Sequence, residues 1–340
     1  MSISIRFLKK KELNLFQNLV KKSYPKKKYL EEHIFEKNSD VIKFYYNYFD
    51  HNKLKILGLF SSGNLVAAQG LITYDNWDSK LKKIFYLAFT VKSSQYKKDC
   101  LIMFLQFIYN LNPNFLATVG TNMFTAGMIL NKISKIKNLD HYYICNPILK
   151  QKISKFLILK KPRINSRYKN LQLYINKNIS NLPKKQYKPK KTKKYFINKY
   201  LRNPFYEYFV MHFYQKRKLL FFFICREIFI KSSKSKILRI IDFCGNFPKK
   251  VNIYNCINDF LKKNNIEYID FLIGGINSKA ITEIGFIKKT KKNIIPNHFE
   301  PLDYESNYLN YGIFINKFKS KIVTVKGDGD QDRPNLLKKK

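Results

Sequence analysis

The most distinctive spacing of chemistry-bearing residues lies near the C-terminal end. Gly327-Asp328-Gly329-Asp330-Gln331-Asp332-Arg333-Pro334 sets three carboxylates at alternate positions beside a guanidinium. Such an array can hold a divalent cation or accept hydrogen bonds from ligand hydroxyls. Arg333 can grip a phosphate or carboxylate through two parallel bonds. An EF-hand loop is excluded: Arg333 stands at the sixth position, where the turn needs glycine, and no glutamate stands at the twelfth. The bland alternative is a polar C-terminal turn. Acidic clustering is nevertheless out of character here, with Lys+Arg 65 against Asp+Glu 23 and a net charge of +42.

Other catalytic signatures are missing. There is no GxSxG, GxxxxGK[ST], GxGxxG or HExxH, which argues against α/β-hydrolases, P-loop NTPases, dinucleotide enzymes and zincins. The five cysteines, Cys100, Cys145, Cys225, Cys244 and Cys256, are odd in number and form no CxxC, so no metal site is expected and a reducing compartment fits. His141 and His298 stand alone and read as structural. Asp75 and Asp78 read as surface-turn residues after a strand.

The elements that must position these groups alternate along the chain. In the first half, Ser2–Phe7 reads as a strand and Lys11–Lys22 as a helix with Leu13, Phe16, Leu19 and Val20 at helical spacing. Three strands follow, Lys55–Phe60, Asn64–Tyr74 and Lys82–Val91, the first two joined through Ser61-Ser62-Gly63. Lys97–Asn110 reads as a helix, Phe115–Val119 as a strand, Met123–Ile133 as a helix and His141–Cys145 as a last strand. The second half repeats the order: helix Thr192–Leu201, strands Tyr206–Phe213, Leu219–Lys231 and Lys236–Phe243, helix Val251–Lys263, strand Tyr268–Ile273, helix Ser278–Ile284 and final strand Lys321–Lys326. A Gly-x-Asn-like step precedes the last helix of each half, at Asn122 and at Asn277. The repeated order points to an internal duplication. Between the halves, 150–194 reads as a basic linker, with Pro183 and Pro189 opposing a helix. The expected domains are 1–149, the linker 150–194, and 195–337.

This order resembles the GNAT acyltransferase fold, and two such units resemble the FemABX-like group of acyl and aminoacyl transferases. Tyr195–Tyr208, Leu238–Asn246 and the tail Lys326–Asn335 resemble GNAT-type proteins of bacterial surface-polysaccharide clusters. The fold class implied is α+β, two tandem units, each a mixed, mostly antiparallel sheet flanked by helices. In that fold the fourth strand splays from the fifth, acyl-CoA slots into the gap, and its pyrophosphate meets the next helix N-terminus. The resemblance implies an acyltransferase with acyl-CoA as co-substrate and no permanently bound cofactor. It places the donor at Val91, Tyr96, Lys97, Lys98 and Asn122. The family's Arg/Gln-x-x-Gly-x-Gly/Ala loop is not kept; Gln95–Leu101 holds no glycine, and Cys244–Lys250 holds one.

Glu207 and Asp242 are then the candidate general bases, and Tyr143 a candidate donor to the departing thiolate. Asp328, Asp330, Asp332 and Arg333 would hold an amino sugar or sugar nucleotide at a rim reached from the final strand of the second sheet. Two alternatives stay open: an aminoacyl-tRNA-dependent transferase whose RNA contacts use the basic linker, and a binding module that has lost catalysis.

At 45% hydrophobic and 16% aromatic residues the chain can bury sizeable cores, which excludes wholesale disorder. The charge suits nucleic acid or an anionic surface, yet the Lys-, Asn- and Ile-rich composition is also what an AT-rich genome imposes. No secretory h-region opens the sequence. The longest apolar run, Leu219–Cys225, falls far short of the ~20 residues a membrane span needs. Cytoplasmic residence is the expectation.

Overall fold

A computed structural model describes residues 2–23, 33–47, 52–123, 126–156, 171–248, 251–297 and 308–334. The chain forms two compact units. The first comprises Met1–Lys137, Asn310–Lys317 and Asp328–Lys340; the second comprises Asn138–Leu309 and Phe318–Gly327. Each is a mixed, mostly antiparallel sheet with helices against it, as the repeated element order predicts.

In the first unit the strands run Ile3–Lys9, Lys53–Ser61, Asn64–Thr73, Ile84–Lys92, Phe115–Val119, Asn310–Asn316 and Lys137–Asn138. The first four are antiparallel neighbours; Ile84–Lys92 and Phe115–Val119 are parallel. Ser62 and Gly63 both take positive φ, 47° and 82°, the turn whose twist suits a two-residue hairpin. Helix Cys100–Asn110 buries Cys100, Leu101, Phe104, Leu105 and Ile108 against Leu57, Leu59, Leu71, Leu87 and Leu116. That 3.6-residue spacing is why the segment is a helix on this face, each large side chain contributing about 1.5–3 kcal/mol of burial.

The second unit orders Ile287–Lys288, Asp140–Cys145, Ile266–Gly274, Ser235–Gly245, Lys218–Ile230, Phe209–Gln215 and Gln172–Asn176. Ser235–Gly245 is antiparallel to Lys218–Ile230 and parallel to Ile266–Gly274. Helix Tyr254–Lys263 packs Tyr254, Ile257 and Leu261 into the core beside Phe223 and Phe271.

Three expectations are corrected. Asp140–Cys145 does not close the first sheet; it pairs antiparallel with Ile266–Gly274 in the second unit. In return Asn310–Asn316, unforeseen in the sequence, pairs antiparallel with Phe115–Val119 in the first. Period-2 alternation fixes which residues share a face, but not which strand lies alongside. The basic segment is solvated along much of its described part, with Lys184, Lys185, Lys190, Lys193 and Lys194 exposed, but it is not a bare connector. Gln172–Asn176 is an edge strand, the Tyr187 ring lies 6.0 Å from Phe243, and Lys191 is buried. Aromatic burial and an ion pair outweigh the local charge there. Residues 157–170 of that segment and His298 lie outside the described residues. The final strand is shorter than expected, Thr324–Val325.

Candidate functional site

In the first unit, Ile84–Lys92 and Phe115–Val119 stay paired for four registers, from Ile84↔Phe115 to Leu87↔Thr118, and then part. At the same level the outer pairing is bulged. Gln69 faces Thr90 while Leu71 faces Leu87, so Ala88 and Phe89 together oppose Gly70. The Gln69 amide ties the bulge, donating to the Gly70 carbonyl at 2.8 Å and accepting from Thr90 Oγ1 at 2.6 Å. Bulges of this kind re-aim backbone groups next to functional sites.

Tyr46 closes over that point. A Cβ on Gly70 would sit 2.5 Å from the Tyr46 ring, so only glycine admits the ring there. The Tyr46 hydroxyl donates to Asp330 Oδ2 at 3.1 Å and meets the Phe89 backbone. Burial, then the Asp330 charge, pushes its pKa well above the ordinary phenol value. Arg333 Nε donates to Asp330 Oδ2 at 2.9 Å, its guanidinium lies 4.6 Å over the Phe35 ring, and Nη2 is 3.4 Å from His33 Nε2. Phe35 and His33 pack on Phe89 at 5.1 and 4.9 Å.

The tail aspartates therefore lie in the first unit, not at a rim of the second sheet. Asp328, Asp330 and Asp332 are 0%, 4% and 7% exposed, and Asp328 accepts from the Tyr74 hydroxyl at 2.6 Å. A buried carboxylate needs donors, and the tyrosines and Arg333 supply them. Among the described residues no group of three or more His, Cys, Asp or Glu is placed to hold a metal ion.

Beyond the bulge, Val91 is buried, Tyr96 is half-buried against the leucine core, and Lys97 and Lys98 are exposed before helix Cys100–Asn110. Asp99 caps that helix, accepting from Leu101 N at 3.0 Å and Ile102 N at 3.4 Å. Asn122 is exposed and its carbonyl accepts from Gly127 N, whereas Asn277 caps Ser278–Glu283 through its side chain.

The second unit repeats the split after Ile240↔Phe271, with Ile241 bulged between the pairs Cys225↔Ile240 and Ile224↔Asp242. Asp242 sits at this split, fully buried. It accepts from Lys191 Nζ at 2.6 Å, the Tyr200 hydroxyl at 2.8 Å and Phe243 N at 2.7 Å. Glu207 is exposed and pairs with Lys177 at 2.8 Å. Tyr143 stacks on Phe156 at 4.4 Å and its hydroxyl accepts from Asn293; burial pushes its pKa up to about 12. The sheet order separates these three: Tyr143 is two strands from Asp242 on one side, and Glu207 precedes a strand two places away on the other.

A further buried pair joins Arg239 to Asp270 by bonds of 2.9 and 2.6 Å, with His141 Nε2 at 2.8 Å from Asp270. Burial alone would raise the Asp270 pKa, but the Arg239 charge and the His141 bond hold it below the usual carboxylate range. The sequence reading missed Tyr46, His33, Lys191, Tyr200 and Arg239. Tyr46 stands in an ordinary Phe44-Tyr45-Tyr46 run, and only tertiary contact marks it.

No family profile matches the chain, and no curated protein matches its sequence. Solved structures match its fold. A GCN5-related N-acetyltransferase from Anabaena variabilis aligns with 92% of this chain and 72% of its own, at 9% identity and a TM-score of 0.52. Two weaker likenesses are a probable N-acyltransferase from Enterococcus faecalis (8% identity, 92% of this chain and 72% of its own, TM-score 0.45) and a tandem GNAT protein from the clavulanic acid biosynthesis pathway (7%, 96% and 99%, 0.42). At such identities the likeness is one of fold. The chain is GNAT-like in architecture, with two such units in tandem.

Proposed function

We propose that the chain is a GNAT-type acyltransferase that moves an acyl group from acyl-CoA to a small acceptor, an amino sugar or sugar nucleotide of surface-polysaccharide synthesis. The observation that carries the transferase reading is the split of Ile84–Lys92 from Phe115–Val119 beyond Leu87 and Thr118, with the bulge beside it. Parting strands leave backbone groups free to pair with an extended ligand arm. Tyr96, Lys97 and Lys98 would meet the donor phosphates. Because Asp99 already occupies the helix N–H groups, the lysine ammonium groups, not the helix end, would hold that charge.

The acceptor nitrogen attacks the thioester carbonyl carbon, the C–S bond breaks, and the proton the nitrogen loses restores the one that the departing thiolate takes from the enzyme. Tyr46 is kept protonated by burial and lies at the bulge, so it is the group we assign to protonate the departing thiolate. Asp330 and Arg333 orient Tyr46. The sugar-type acceptor rests on the sequence resemblance alone. Acyl-CoA dependence agrees with cytoplasmic residence. Among the described residues, no helix is long and apolar enough to cross a membrane. The tRNA-dependent reading loses one cation of the basic segment, since Lys191 is engaged with Asp242, while Lys184, Lys185, Lys190, Lys193 and Lys194 stay exposed.

A second reading, a binding module without catalysis, is favoured by the Asp99 cap. Titration calorimetry with acetyl-CoA separates the two. The transferase reading expects saturable binding that weakens at least tenfold in a Lys97→Glu/Lys98→Glu variant. Absence of any heat of binding in the parent protein leaves the binding-module reading standing.

A further inference from the structure

In the second unit the space between the parting strands is filled by the chain itself. Ile273 pairs with Asp140 along one edge and with Val325 along the other, and Gly274 pairs with Thr324. The edge that Ser235–Gly245 leaves after Ile240 is thus already hydrogen-bonded to Thr324–Val325. The facing wall is covered too. A Cβ on Gly327 would lie 2.6 Å from the Ile241 carbonyl oxygen and 2.6 Å from the Tyr200 hydroxyl. Gly275, at φ +84°, backs onto the Ile322 carbonyl too closely for any side chain.

The occupying segment is tied at every turn. Val323 N donates to the Lys188 carbonyl at 2.9 Å. Lys326 is buried, and its Nζ donates to Asn297 O and Oδ1 at 2.9 and 3.0 Å. Lys199 Nζ donates to the Gly327 carbonyl. Val323 and Val325 join the core of Ile253, Phe271 and Ile273. In the first unit the corresponding edge differs. Among the described residues no strand pairs with the inner edge of Phe115–Val119 past Thr118; Gly329 passes beside Val119 and the Gln331 side chain packs on Gly120, but no ladder forms there.

We infer that residues 322–327 are a permanent occupant of the second unit's strand gap, standing where an extended ligand would pair. A backbone edge can be paired only once. It follows, granted the donor reading proposed above, that each chain takes one acyl-CoA and takes it in the first unit. The charged cluster of Asp242, Lys191, Tyr200 and Lys199 is then the clamp on this segment, not a second reaction centre.

Hydrogen exchange followed by mass spectrometry on the full, unliganded chain tests the occupancy directly. Peptides spanning 322–327 are expected to exchange as slowly as those of Ile266–Gly274. Gly327→Ala pushes a methyl into the Ile241 carbonyl and should speed exchange in 322–327 at least tenfold. Fast exchange of 322–327 in the parent overturns the proposal. Coenzyme A then supplies the second arm: one equivalent per chain, with new protection confined to 93–102, supports it. Two equivalents, or protection over 245–256, overturns it. If coenzyme A does not bind at all, the donor reading falls, while the exchange rates still decide whether the gap is occupied.

Discussion

Replacing Asp242 by asparagine separates a clamp from a catalytic base. In the native chain the carboxylate is fully buried and takes three donors, from Lys191, Tyr200 and Phe243, all within 2.8 Å. The amide has nearly the same size but no charge, so the Lys191 ammonium, 8% exposed, loses the opposite charge beside it. Breaking a buried pair by removing one partner costs about 3–5 kcal/mol. The amide oxygen can still accept from one donor, which favours the lower end, about 3 kcal/mol. Against a typical stability of about 5–15 kcal/mol this is a large fraction. Urea unfolding should be followed by two probes, because two units need not unfold together. Far-UV circular dichroism reports both units. Trp77, the only tryptophan, is buried in the first unit and reports that one alone. We expect Asp242→Asn to bring the dichroism transition to lower urea well before the fluorescence transition moves. The double variant Asp242→Asn/Lys191→Met should recover most of the loss, since it removes the buried ammonium together with the carboxylate that balanced it. A variant that unfolds with the parent, within about 1 kcal/mol, yet has lost acyl transfer, would refute the clamp and restore Asp242 as a base.

Further outcomes follow from other side chains. Tyr46→Phe should lower kcat about a hundredfold, the lower range for a lost proton donor, with little change in KM for acyl-CoA; steady-state kinetics check this. His141 is held below its ordinary pKa, chiefly by burial and against the opposing pull of Asp270. A depressed folded-state value means that the unfolded chain takes up the proton first. This group's stabilisation is therefore present above about pH 6.5 and lost as pH falls through the folded value. Urea midpoints between about pH 8 and about pH 5 should fall with acid in the parent and fall less in His141→Gln. Burial pushes Cys145 up to about 11 and Cys256 up to about 12. A maleimide at neutral pH should leave both unmodified until the chain is unfolded.

The two-unit architecture was legible because it is written in local signals. Leu101, Phe104, Leu105 and Ile108 repeat at helical spacing, the Ser62–Gly63 turn joins two alternating runs, and the Asn277 cap opens its helix. What the sequence hid was partnership. The run Asn310–Asn316 carries no clean alternation, with Gly312 beside three consecutive apolar residues, and nothing near it names Phe115–Val119, almost two hundred positions earlier, as its neighbour. The same holds for Asp140–Cys145 and Ile266–Gly274. The tail shows the limit for chemistry. Its alternating aspartates stood out as a site from composition alone, but their burial against Tyr74, Tyr46 and Arg333 depends on residues about 250 or more positions away, Arg333 excepted. Lysine density gave the opposite error. It marked 184–194 as solvated, which holds for Lys184, Lys185, Lys190, Lys193 and Lys194 but not for Lys191, the counter-ion that a buried Asp242 demands.

The claim that the chain transfers acyl groups is tested most directly by thiol release from acetyl-CoA in the presence of amino sugars and nucleotide-linked amino sugars. The account predicts that free coenzyme A appears in step with a product one acetyl group heavier than the acceptor. Both should be lost together in Lys97→Glu/Lys98→Glu. Acetyl-CoA that remains intact with every acceptor, or coenzyme A released with no acylated product, would contradict it.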